Sequence, residues 1–318
     1  MNTIVKIPVE VDVEEVRKRA LAAVEDYESR AAAGREADVP ESTFLAFLND
    51  KYAGDNEKVA RKVDIWLRSR EERAKAFSRM PEAPAFQMTP TAQKFLPLLT
   101  WAQVAPDFTA IVGSPGIGKT RTLEHYRDNN PHVFLVTAEE ATARVNPMLQ
   151  EICHVMGIEE RSSTKLSRAI GARVKNAGAL IIMDEAQKLT REALDQLRAL
   201  HDKYKVGVAV CGNRAVLATI YGGGQEKNAQ LFRRLGMKER AFQSEPGDLD
   251  VLIAAWGVTN PSEVAYLQSV AKKFGALGNI DKTMKLATLL ASGAKVERTI
   301  AHIEMAWGKL KFDATADV

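Results

Sequence analysis

The spacing of apolar residues changes character along the chain. From about Val11 to Arg79 apolar positions recur at helical intervals with short breaks and little β-branched alternation, which predicts a small helical domain over 1–79. The stretch Met80-Pro81-Glu82-Ala83-Pro84-Ala85-Phe86, closing near Thr89-Pro90, concentrates proline. Proline resists helix at its own position and at the one before it, so 80–90 reads as a linker. Over 91–243 short apolar runs at 108–112, 133–137, 179–183 and 206–210 alternate with helical stretches. Runs apolar on successive positions predict strands covered on both faces, hence a parallel sheet flanked by helices. Beyond Pro246 helical patterns return at 248–256, 262–274, 280–292 and 296–310, the length and spacing of a C-terminal helical bundle over 244–318.

The junction of the first strand with its helix carries the strongest chemical signal. Gly113-Ser114-Pro115-Gly116-Ile117-Gly118-Lys119-Thr120 satisfies G-x-x-x-x-G-K-T, follows an apolar run and opens a helical stretch. Glycines let backbone N–H groups curl around phosphates, and the helix N-terminus adds a favourable dipole. Lys119 is expected to bridge the β- and γ-phosphates of ATP, and the Thr120 hydroxyl to ligate Mg²⁺. Arg121, next in line, is counted with the nucleotide-binding set. A chance glycine-rich turn is the alternative, and the flanking strand and helix signals oppose it.

Further candidates lie downstream. The run 180–183 ends in Asp184-Glu185, placing two carboxylates at the carboxyl end of a buried strand, where ligands bind in open α/β sheets. Asp184 is expected to orient hydrated Mg²⁺ and Glu185 to act as general base on water; the competing reading is an acidic cap on the next helix. Asn213, after Cys211-Gly212, either positions that water or contacts the γ-phosphate, or only forms a turn. Arg233 and Arg234 either stabilise transition-state charge in a neighbouring subunit or form a solvated basic face.

Composition narrows the class. Apolar residues make up 46% and charged residues 27% of 318 residues, which excludes the low-hydrophobicity signature of disorder. The net charge of +3 is too small to argue nucleic-acid binding, so its distribution matters more. Lys58, Arg61, Lys62, Arg68, Arg70, Arg73, Lys75 and Arg79 crowd one segment against Asp64, Glu71 and Glu72. A second segment, 161–175, holds no acid; in its helix Lys165, Arg168 and Lys175 fall opposite Leu166, Ile170 and Val174, either a row for DNA phosphates or a solvated face. Residues 29–50 can form a helix-turn-helix, with a turn around Ala37-Asp38-Val39, Pro40 in the first turn of the second helix, and Phe44 and Leu48 on one face; a three-helix module for protein contact is the alternative. Cys153 and Cys211 lack zinc-site or disulfide spacing, the first residues lack a signal-peptide core, and no run approaches the ~18 apolar residues of a membrane span. A soluble protein of the cytoplasm is expected, with no membrane partner.

The phosphate loop, strand-end Asp-Glu, strand-end Asn and downstream Arg pair, in that order, resemble the AAA+ class of ATPases. The run Phe47-Leu48-Asn49-Asp50-Lys51-Tyr52-Ala53-Gly54-Asp55-Asn56-Glu57-Lys58-Val59, Trp66-Leu67 after it, the linker Pro81-Glu82-Ala83-Pro84, and Gly275-Ala276-Leu277 followed by Lys285-Leu286-Ala287 resemble the transposition B proteins of Mu-like bacteriophages, over roughly residues 28–310. The resemblance implies a AAA+ P-loop ATPase fold of the α/β class with an N-terminal helix-turn-helix domain and a C-terminal helical bundle. It also implies ATP-dependent, non-specific binding of double-stranded DNA, assembly of a homo-oligomeric helical filament, delivery of DNA to a transposase, and ATP hydrolysis stimulated by both. Where the family carries an arginine after Gly-Ala-Leu this sequence has Gly278; either Lys285 substitutes or the lid does not read the nucleotide. A helicase-loader or replication-initiation ATPase would share the nucleotide motifs, and an ATP-gated scaffold would lack the use for a base that Glu185 offers.

Overall fold

The structure, a computed structural model, describes residues 11–78, 81–221, 235–273 and 275–311. The chain divides into two compact units, 1–81 and 82–318.

The first unit is helical: α1 (Val13–Val24), α2 (Arg30–Glu36), α3 (Glu41–Leu48) and α4 (Asn56–Ser78). Asp12 caps α1 by accepting from the N–H groups of Glu14 and Glu15 at 3.0 and 3.1 Å, and Ser29 caps α2. Pro40 sits one step outside its expected place. It is the extended residue before α3, and Glu41 opens the helix. The core gathers Val16, Ala20, Phe44, Phe47, Val63 and Trp66, with Phe44 edge-on to Trp66 at 6.0 Å. α2 and α3 meet through a turn at 37–40 in which Asp38 is left-handed, φ 53°. The basic run of α4 is largely spent inside the unit. Arg61 pairs with Glu57, Lys62 with Asp38, Arg68 with Asp64, Arg70 with Asp26 and Arg73 with Glu36.

The second unit is built on a five-stranded parallel sheet in the order β2-β3-β4-β1-β5. Its strands are β1 (Phe108–Gly113), β2 (Val133–Thr137), β3 (Leu180–Asp184), β4 (Gly207–Gly212) and β5 (Leu235–Ala241). β1, β3 and β4 are buried along their whole length, as their apolar runs require. α5 (Pro90–Val104), capped by Thr89 and led by Pro90, covers one face with α6 (Lys119–Asn129) around Phe95, Leu99, Ile111 and Leu123. On the other face α7 (Val145–Val155), α8 (Leu166–Val174), α9 (Arg191–Tyr204) and α10 (Arg214–Tyr221) pack around Ile152, Ile170, Ile181 and Leu197.

β5 has no counterpart among the expected strands. It is an edge strand whose Lys238, Glu239 and Arg240 interrupt any apolar run, a pattern that protects an open edge from pairing with another chain. The four helices of the bundle are α11 (Asp248–Ala255), α12 (Pro261–Ala271), α13 (Ala276–Ala294) and α14 (Ile300–Leu310), with Ile253, Leu267, Ile280, Met284 and Ile303 in their core. α13 starts four residues earlier than its apolar spacing suggests, because Gly275 at φ 102° turns the chain in the left-handed region directly before it. α14 starts later than expected, at a capping box made by Thr299 and His302. Buried Asp248 ties the bundle to the start of α5: its carboxylate accepts from the Thr91 N–H at 2.8 Å, the Glu245 N–H at 2.7 Å and the Thr91 hydroxyl. Among the described residues no helix is long and apolar enough to cross a membrane.

Candidate nucleotide site

The carboxyl ends of β3, β4 and β1 lie side by side, with Met183 opposite Val210 and Gly212 opposite Val112. The chain leaves β1 at Gly113, where a Cβ would lie 2.4 Å from the Ala241 carbonyl oxygen; only glycine lets the loop start against β5. The Ser114 N–H and hydroxyl then donate to the carbonyls of Ala241 and Phe242 at 3.1 and 2.8 Å. Gly116 and Gly118 are left-handed, φ 82° and 91°, so the loop curls and delivers its N–H groups to the start of α6. Lys119, 8% exposed, donates to the Gly113 and Ser114 carbonyls at 2.8 Å each, so its ammonium lies inside the curl.

Thr120 and Asp184, 64 residues apart, meet directly: the Thr120 hydroxyl donates to Asp184 Oδ2 at 2.7 Å. Asp184 is 1% exposed, and its other oxygen accepts from the Glu185 N–H at 2.8 Å. Glu185 is left-handed, φ 53°, which turns the chain away from the strand and sets its half-buried side chain on the cleft wall. The Gln187 amide donates to the Glu185 carboxylate and accepts from the Asn213 N–H at 3.1 Å. The Asn213 side-chain oxygen accepts from the Ala215 N–H at 2.8 Å and so caps α10, the work of a turn residue. Burial, and then the neighbouring Asp184 carboxylate, push the Cys211 thiol well above its ordinary range, so it stays protonated and inert.

These groups wall a cleft of about 310 Å³. Its floor is the loop from Pro115 to Thr122, with Arg121 on the rim beside Glu124 at 3.7 Å. One side is the segment Pro84 to Gln87, in which Phe86 stacks on His125 with centroids 3.9 Å apart. The opposite side is the helical bundle, through Leu252, Leu277, Gly278 and Asp281. The Gly278 N–H donates to the Gly116 carbonyl at 3.3 Å, and a Cβ on Gly116 would fall 2.1 Å from the Gly275 carbonyl oxygen. Lys285 is exposed and does not line the cleft.

The structure thus brings together the 113–121 set, Asp184 and Glu185, and links Asn213 to them through Gln187. Arg233 and Arg234 lie outside the described residues. Lys165, Arg168 and Lys175 are exposed along α8 and its two ends, opposite buried Leu166, Ile170 and Val174, and none lines the cleft. The sequence reading missed Gln187, Phe86 and Asp281. Gln187 follows Glu185 by two residues, but no periodicity marks it and its partner Asn213 follows another strand.

A phosphate loop after β1, an acid pair after β3, and β4 between them in a parallel sheet define a AAA+ P-loop ATPase. Residues 104–220 match the AAA domain family, and 233–310 match the family of the Mu B transposition protein, C terminal. The ATP-dependent target DNA activator B of Escherichia phage Mu is 30% identical over 281 residues, 87% of this chain and 89% of the relative. The Mu-like prophage FluMu DNA transposition protein B of Haemophilus influenzae is 30% identical over 260 residues, 80% of this chain and 90% of the relative. The chain belongs to the Mu B transposition protein family. Among solved structures the Aeropyrum pernix ORC2 protein superposes with a TM-score of 0.55 at 16% identity, covering 72% of this chain and 70% of that one, a likeness of fold.

Proposed function

We propose that this chain hydrolyses ATP in the 113–120 cleft and uses the nucleotide as a switch for assembly on double-stranded target DNA, which it presents to the transposase of its own element. The observation that carries the reading is the 2.7 Å junction of Thr120 with Asp184, which joins the phosphate loop to the acid pair with Glu185 on the cleft wall. The names of the relatives, a target DNA activator and a DNA transposition protein, supply the DNA and the reaction it serves.

Lys119 and the N–H groups at the start of α6 bind the phosphates, with Arg121 at the rim. A hydroxyl and carboxylate oxygens are the hard donors Mg²⁺ takes, so Thr120 and Asp184 would hold the ion, which neutralises charge on the phosphoryl oxygens when bound. Glu185 accepts the proton of the attacking water, Asn213 helps to place that water, and Arg233 or Arg234 serves a neighbouring subunit. Lys165, Arg168 and Lys175 contact DNA phosphates, which positions the protein without reading sequence. Units 1–79, 91–243 and 244–318 then act as the partner-binding module, the ATPase and the lid of a helical filament in the bacterial host cytoplasm.

Electron microscopy of the purified protein with DNA and either ATP or ADP tests the reading. Filaments that form with ATP and disappear with ADP are expected. Closed rings, or assembly indifferent to the nucleotide, would replace it with a loader or a passive scaffold.

A further inference from the structure

We infer that Gln187 is a positioning residue for ATP hydrolysis, one that ties the Glu185 carboxylate to the end of β4 so that base and phosphate loop move together. The inference rests on the reading of Glu185 as the base.

The orientation of the amide follows from chemistry. The Asn213 backbone N–H can only donate, so the Gln187 oxygen must face it, at 3.1 Å. That leaves the NH₂ group facing Glu185, whose ionised carboxylate can only accept. A neutral side chain with a donor and an acceptor fixed at its tip is therefore needed. Glutamate lacks the donor and methionine lacks both.

The surroundings are built for that side chain. Gln187 stands in a tight turn closed by the Lys188 N–H on the Glu185 carbonyl at 2.9 Å and the Leu189 N–H on the Ala186 carbonyl at 3.1 Å. Across from it a Cβ on Gly212 would lie 2.3 Å from the Gln187 oxygen and 2.5 Å from a Val216 methyl. Gly212 is not left-handed, so glycine is needed there for space and not for conformation. Gly212 also pairs with Val112, the residue before the phosphate loop. Asn213 caps α10 through Ala215. A displacement at the phosphate loop therefore reaches β4 through the sheet, the 212–213 turn through the strand, and Glu185 through one amide.

The test uses the full chain with Mg²⁺, ATP and duplex DNA, reading kcat and KM separately, together with the binding of a fluorescent ATP analogue. Gln187→Met is expected to lower kcat about 10-fold or more while KM and analogue binding stay within about twofold. Gly212→Ala, which leaves the glutamine chemically intact but displaces it, should do the same. Gln187→Glu replaces the donor that holds the Glu185 carboxylate with a second acceptor and is expected to lower kcat in the same way. The glutamate side chain is of equal size, so this variant serves if the methionine variant does not fold. In the double variant Glu185→Gln with Gln187→Met, the second change should cost nothing further.

Three results overturn the inference, and they are distinguishable. Parental turnover by Glu185→Gln alone removes the base reading, and the inference with it. If Glu185→Gln is inactive while Gln187→Met and Gln187→Glu turn over normally, the base stands and the positioning role falls. A raised KM with unchanged kcat would make Gln187 a part of the binding pocket only.

Discussion

Asp248→Ala should loosen the ATPase unit where its helical bundle meets the start of α5. The side chain is 0% exposed and accepts three hydrogen bonds, from the Thr91 N–H at 2.8 Å, the Glu245 N–H at 2.7 Å and the Thr91 hydroxyl. Alanine orphans the Thr91 N–H and leaves the Glu245 N–H only a long 3.3 Å bond to the Thr91 hydroxyl oxygen, at about 1–3 kcal/mol for each donor. Relief of carboxylate desolvation offsets a part, leaving a net loss of about 3 kcal/mol. For a unit of this size each kcal/mol moves the melting temperature by about 2–4 °C, so its transition should fall by about 6–12 °C. Differential scanning calorimetry of the full chain reads this directly. Asp248→Asn supplies the internal control. Its oxygen can still meet the Thr91 N–H, and its NH₂ can donate to the Thr91 hydroxyl, so only the Glu245 N–H loses its short bond, keeping the 3.3 Å one to the Thr91 oxygen, and about half the loss remains. An alanine variant melting within about 1 °C of the parent, or an asparagine variant weaker than alanine, would refute the reasoning.

Lys119→Ala should abolish ATP binding and, with it, ATP-dependent DNA binding; unchanged DNA affinity in ATP would sink the switch. Glu185→Gln should keep ATP bound and hold the protein on DNA, measured as a dissociation rate after ATP is diluted away, and release at the parental rate would count against it. Replacing Lys165, Arg168 and Lys175 by glutamine should reduce the slope of log K against log salt by up to about 2–3, and an unaltered slope would return α8 to a solvated face. Gly116→Ala should lose binding of the fluorescent nucleotide, since a Cβ would fall 2.1 Å from the Gly275 carbonyl in a backbone at φ 82°. Gly278→Ala should keep it, because its Cβ would find only an ordinary 3.8 Å contact, and equal behaviour of the two would refute the steric account.

What the sequence made legible follows the physics of burial. β1 to β4 announce themselves because strands covered on both faces must be apolar at every position. β5 does not: it lies at an edge as β2 does, but its side chains are mostly exposed where those of β2 are mostly buried, so it can carry Lys238, Glu239 and Arg240 and still pair with β1 through its backbone. The phosphate loop was readable because its chemistry is local, eight consecutive residues between a strand and a helix. The Gln187 bridge was not, since it depends on β3 and β4 being neighbours, which no local pattern reports. The same holds for α4. Its cations read as a basic segment, yet Asp26, Glu36 and Asp38, which neutralise several of them, come from other helices and turns of the unit.

Gly278 takes on a different meaning once the lid is seen against the loop. The bundle touches the phosphate loop through backbone: the Gly278 N–H reaches the Gly116 carbonyl at 3.3 Å, and the Gly275 carbonyl stands where a side chain on Gly116 would be. The N–H contact would survive almost any residue at 278, and a Cβ there has room, so glycine is not a steric requirement at that position. What its presence changes is charge. An arginine would add a cation facing the cleft, whereas this lid contributes Gly278 and Asp281, the latter accepting from the Trp256 indole N–H at 3.0 Å. Among the described residues the cations that line the cleft are Lys119 and Arg121, at the start of α6. Among the described residues the bundle therefore meets the phosphate loop through backbone groups, the Gly278 N–H and the Gly275 carbonyl, both at Gly116.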